Sequence, residues 1–72
     1  MRYPKQEELE ALRKKYPAGT VIRCLHMDDP QAVLPGTKGK VEYIDDAGTI
    51  HMIWENGSGL GLIPGQDRFV KV

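Results

Sequence analysis

The chain reads as a mainly β domain, a small barrel of five strands behind one short N-terminal α-helix. Three observations predict this. No glycine or further proline follows Pro4 until Pro17, which leaves room for a helix there. Ile50, Met52 and Trp54 alternate with His51, Ile53 and Glu55, the period of two of a strand with one buried face. Turn signals then punctuate the rest: Asp29-Pro30, Pro35-Gly36, Asp45 to Gly48, Asn56-Gly57 and Pro64-Gly65.

The elements follow in order. Pro4 suits the first turn of a helix, where its missing N–H costs nothing, so the helix is expected over 4–16. Glu7, Glu8 and Glu10 precede Arg13, Lys14 and Lys15, an order that complements the helix dipole and puts Glu10 within reach of Lys14. Leu9, Leu12 and Tyr16 share one narrow apolar face, which must pack on the barrel or on a second subunit, the barrel being the better choice. The barrel is expected over 20–72. Thr20 to His26 forms strand one, with Ile22 and Cys24 inward and Val21, Arg23 and Leu25 outward. Met27 to Thr37 is a long connection. Lys38 to Ile44 forms strand two, where Val41 and Ile44 both point inward only if a residue bulges, which turns Tyr43 outward. Strand three ends at Asn56-Gly57, a two-residue hairpin signal, and strand four returns through Leu60 and Leu62. Ile63 to Gln66 makes a tight turn before a last strand, Phe69 to Val72.

Bulk properties restrict the function. At 72 residues there is one domain, which buries only about 60% of its unfolded surface. Ten basic residues balance ten acidic ones, so binding to nucleic acid or an anionic membrane needs a local patch rather than a global field. Cys24 is the single cysteine, which excludes an internal disulfide; with no secretory leader pattern, the expected compartment is the cytoplasm. No apolar run approaches the roughly 20 residues that span a bilayer.

The order strand, long loop, three strands joined by tight hairpins, one-turn break and short final strand is the layout of SH3-like barrels. The segments MDDP at Met27 to Pro30, PGTKG at Pro35 to Gly39, WENGS at Trp54 to Ser58 and LIPG at Leu62 to Gly65 add a collinear pattern with Asp67, Phe69 and the helix end KKYPAGT. This pattern resembles a small domain-of-unknown-function family of Gram-positive bacteria, their phages and mobile elements, over nearly the whole chain. The resemblance implies no catalytic residue and no cofactor.

Candidate sites therefore rest on the residues themselves. Cys24 and His26, two apart on a strand, pair a thiol with an imidazole, but an inward cysteine is better read as core filling. Adding His51 or Asp28 does not give a metal-ligand spacing, so no metal site is expected. Asp28 and Asp29 at the long loop are the better of two acidic pairs for binding, although acids there also serve the turn, as Asp45 and Asp46 do. The run Gly57, Ser58, Gly59, Gly61 lacks the following helix of a phosphate cradle; Ser58 stays a hairpin-tip contact, and Gly61 marks a close approach of another backbone or a ligand. Tyr43 is available for stacking. Lys38, Lys40, Arg68 and Lys71 could converge on a phosphate backbone.

The function expected is a non-catalytic binding module for a protein partner, acting through the 27–37 loop, the hairpin tips and Tyr43. The surface aromatic row used for Pro-rich ligands is missing. Alternatives are a phage or mobile-element counter-defence protein that sequesters a nucleotide signal, which would call for an oligomer such as a homodimer because one small barrel lacks a pocket of several hundred cubic ångströms, and a weak nucleic-acid-binding barrel.

Overall fold

In the computed structural model, which describes residues 4–72, one helix precedes a four-stranded antiparallel sheet. The elements are α1 (Gln6–Lys15), β1 (Val21–His26), β2 (Lys38–Ile44), β3 (Ile50–Trp54) and β4 (Arg68–Lys71), and the sheet order is β3-β2-β1-β4.

Helix α1 starts later than Pro4 predicts. Lys5 is extended at the N-cap, its carbonyl accepting from Leu9 N–H at 3.0 Å, and Pro4 packs against Gly48, where an added Cβ would lie 3.3 Å from the proline Cγ. Tyr16 closes the helix by donating its N–H to Leu12 O at 2.9 Å. The apolar face works as expected: Leu9 is buried, while Leu12 and Tyr16 pack against the core and Tyr16 meets Phe69 edge-on at 5.6 Å. Glu10 accepts from Gln6 at 3.3 Å, one turn upstream, rather than pairing with Lys14. Arg13 ties the helix to the β2–β3 hairpin, donating to Ile44 O at 3.0 Å and to Asp46 Oδ1 at 3.1 Å.

The alternation in the strands is as predicted. Ile22 and Cys24 are buried in β1, and Ile50, Met52 and Trp54 in β3. In β2 the register shifts between Val41 and Tyr43, so Val41 and Ile44 are both buried and Tyr43 stands 51% exposed. A second irregularity, unforeseen, lies between Cys24 and His26 in the β1–β4 pairing and leaves His26 exposed.

The fifth strand does not form. Between Trp54 and Asp67 the chain pairs with β3 at one point, where Ile50 and Leu62 exchange N–H···O bonds of 2.9 and 2.8 Å. The reason lies in Leu60, whose backbone groups are claimed by side chains. Trp54 Nε1–H donates to Leu60 O at 2.7 Å, and Leu60 N–H donates to Ser58 Oγ at 3.1 Å. A ladder cannot continue through a residue whose main-chain groups are already engaged.

Both hairpins flanking β3 use a three-residue loop closed by glycine. In the first, Asp45 N–H donates to Thr49 O at 3.1 Å and Gly48 N–H to Asp45 O at 3.0 Å, with Gly48 at φ +87°. The second repeats this with Trp54, Ser58 and Gly57, at 3.0 and 2.9 Å and φ +88°. Asn56 keeps a negative φ, so the two-residue turn expected there is replaced by a type I turn followed by a left-handed glycine.

Candidate interaction surface

The pleat that buries Ile22, Gly39 and Trp54 on one side pushes their neighbours to the other, and the register lines those up in two rows across the sheet. The first row is Val72, Val21, Lys40 and Ile53: Val72 N–H reaches Val21 O at 3.0 Å, Val21 faces Lys40, and Lys40 faces Ile53. The second is Val70, Arg23, Lys38 and Glu55, with Glu55 N–H donating to Lys38 O at 2.9 Å. Between the rows lies a furrow of about 360 Å³, lined by Val21, Lys38, Gly39, Lys40, Ile53, Trp54 and Glu55 and open to solvent.

Gly39 shapes it from within. An added Cβ would come within 2.7 Å of Trp54 Cε3 and 3.0 Å of Ile53 O, so the strand lies flat on the indole. In the furrow lining two cations, Lys38 and Lys40, stand against one carboxylate, Glu55, whose Oε1 already accepts the Lys38 N–H at 3.1 Å; Arg23 faces Lys38 beside them, and Glu42 stands exposed further along β2. Ile53 is 58% exposed, a large apolar side chain forced outward by its place between two buried neighbours.

The residues singled out from the sequence are scattered. Lys38 and Lys40 come together here; Arg68 is exposed opposite His26 at the start of β4, outside the furrow lining, and Lys71 turns away to donate to Lys15 O at 2.8 Å at the end of α1. Asp29 serves its own turn, Oδ1 accepting from Gln31 N–H at 2.8 Å. Asp28 keeps an exposed side chain but its N–H is held by Asp67 Oδ1 at 3.2 Å. Ser58 is engaged with Leu60 N–H. Gly61 answers to its own chain: a Cβ there would meet Thr49 Cγ2 at 2.7 Å. Cys24 and His26 do not share a face, because the irregularity between them leaves the thiol buried and the imidazole exposed. Burial, then the charge of Asp67, pushes the Cys24 thiol up from its ordinary value, which disfavours the nucleophilic thiolate. Among the described residues no three of His, Cys, Asp and Glu converge as a metal set, and no helix is long and apolar enough to cross a membrane.

Tyr43 does stack, on its own neighbour: its ring lies 4.3 Å from that of His51, nearly parallel. His51 Nε2 is 2.8 Å from Asp45 Oδ2, while Asp45 Oδ1 accepts from Ala47 and Thr49 N–H, both at 3.0 Å. The hydrogen bond from His51 is the main cause holding the Asp45 carboxyl below its ordinary range; burial opposes it, and the Thr49 and Ala47 amides add to the lowering.

Sequence reasoning missed Arg23, Ile53 and Val21 as surface residues in one site, and it missed Asp67. Asp67 is the buried acid of the fold, Oδ2 accepting from Ile63 N–H at 2.8 Å and Oδ1 from Asp28 N–H, so one carboxylate clasps the long loop and the 63–67 turn. The outward apolar residues carried a signal, since strict alternation places Ile53 and Val21 on the solvent side.

Residues 5–72 match the model of a domain of unknown function, DUF4314, and the chain belongs to that family. Neither a curated protein nor a solved structure matches it.

Proposed function

We propose that this member of the DUF4314 family is a non-catalytic recognition module of the cytoplasm that docks a protein partner on the open face of its sheet. The observation that carries this is the furrow between the rows Val21–Lys40–Ile53 and Lys38–Glu55, an exposed surface mixing apolar and cationic side chains. The 27–37 loop serves the site less, since Asp67 and the Asp29 turn engage its acidic start. An SH3-like reading of the architecture draws support from the order β3-β2-β1-β4 and from the Ile50–Leu62 bridge, which stands where a further strand would follow β3. Sequestration of a nucleotide has the two lysines in its favour. A volume of several hundred cubic ångströms is available in a single chain, but as an open furrow that leaves one side of such a ligand in water.

The test is a photo-crosslinking residue placed at position 53, and separately at Glu8 on the exposed side of α1, in the full chain expressed in a Gram-positive host, where the resemblance of its motifs points. A discrete protein adduct formed from position 53 and not from position 8 is the expected result. Equal adducts from both positions, or none, would sink the reading.

A further inference from the structure

We infer that the furrow takes a short acidic segment bearing an aliphatic anchor, presented in extended form across β1, β2 and β3. This rests on the reading of the open sheet face as the docking surface, and it goes further by naming what docks. Charge complementarity decides the sign. Lys38 and Lys40 line the furrow with Arg23 facing Lys38 beside them; of the carboxylates, Glu42 lies beyond the furrow lining on β2, and Glu55, the one in the lining, is partly spent on the Lys38 N–H. A carboxylate in the segment therefore meets two or three cations, while a basic segment meets the same cations as repulsion.

The anchor is set by Ile53 and Val21, which stand at either side of Lys40 in one row and are both apolar. An aliphatic side chain lying over the flat backbone of Gly39 touches both; an aromatic anchor lacks an aromatic neighbour among the furrow side chains other than Trp54, whose indole faces the core. Length follows from the sheet. Three strands about 4.8 Å apart are crossed by roughly three to four residues of extended chain. So small a footprint gives a weak, reversible contact, in the class of transient encounters.

The experiment titrates the isotopically labelled full chain with a short capped peptide of core sequence Glu-Leu-Asp-Val, followed by amide chemical shifts. Controls are the same peptide with Lys for its acids, and an oligothymidylate. Expected are shifts confined to Val21, Lys38 to Lys40 and Ile53 to Glu55, absent with the basic peptide and weakened about tenfold by Lys40→Glu, a loss of about 1.4 kcal/mol. Lys38→Glu gives a second variant at an exposed side chain. Millimolar acidic peptide producing no shifts would overturn the inference; if the position-53 adduct persisted, the surface would stand and only the partner chemistry would fall. Oligothymidylate binding at the same amides more tightly than the peptide would overturn it in favour of a nucleic acid. Shifts that depend on protein concentration without peptide would overturn it in favour of a second copy of the chain.

Discussion

The two faces of the sheet obey opposite rules. On the inner face every position is spoken for: Trp54 fills the centre, its indole N–H is bonded to Leu60 O, and no buried side-chain polar atom among the described residues lacks a partner. On the outer face Ile53, Lys38 and Lys40 stand in water and Val21 is half-buried among its cross-strand neighbours. Both faces come from the same strands, so the difference shows which residues hold the fold and which are free for something else. Substitutions should divide accordingly.

The largest effect is expected from Trp54→Ala. Removing a fully buried indole costs about 3–5 kcal/mol, comparable to the whole stability of roughly 4–11 kcal/mol expected for a chain of this size. Thermal unfolding checks it; a melting point close to that of the parent would mean that the inner face is not the support described.

Next comes Asp67→Ala, which strands the Ile63 and Asp28 amides at a cost of about 1–3 kcal/mol. Amide hydrogen exchange localises the damage: Asp28 and Ile63 should lose protection first, before Ile50 and Leu62.

The outer face is predicted to yield almost nothing in stability. Ile53→Ser should stay within about 0.5 kcal/mol of the parent by denaturant unfolding while weakening the acidic-peptide shifts at the Val21 and Lys40 amides. A large loss of stability would move Ile53 into the set of residues that hold the fold and blur the contrast between the faces.

The smallest effect is a pH dependence at the rim. Asp45 is held below its ordinary range by His51, so its contribution to stability is present above the unfolded carboxyl value, about 4, and is lost as pH falls through the lower folded value. Cys24 runs the other way. Its raised value favours the neutral thiol, a contribution present below the ordinary thiol range and lost as pH rises through and beyond it. In Asp45→Asn the acid-side loss should flatten, read as unfolding midpoint against pH, and in Cys24→Ala the alkaline side should.

Much of this was legible in the chain. Period two gave the inward residues of β1 and β3, and the pair Val41 and Ile44 required the bulge that exposes Tyr43. What periodicity does not carry is register, and register is what sets Lys40 beside Val21 and Ile53 and so makes a site of residues read singly. The missing fifth strand was hidden for a related reason. Nothing local shows that the Trp54 indole reaches six residues along the chain to take the Leu60 carbonyl.

Asp67 has one more consequence. It grips main-chain amides, those of residues 28 and 63, and touches neither side chain through these bonds. A clasp that reads only the backbone places no demand on the identity of what it holds. Changes at exposed loop positions such as Gln31 and Leu34 leave that anchor in place, while Met27 and Val33 of the same loop are held to apolar side chains by their burial in the core.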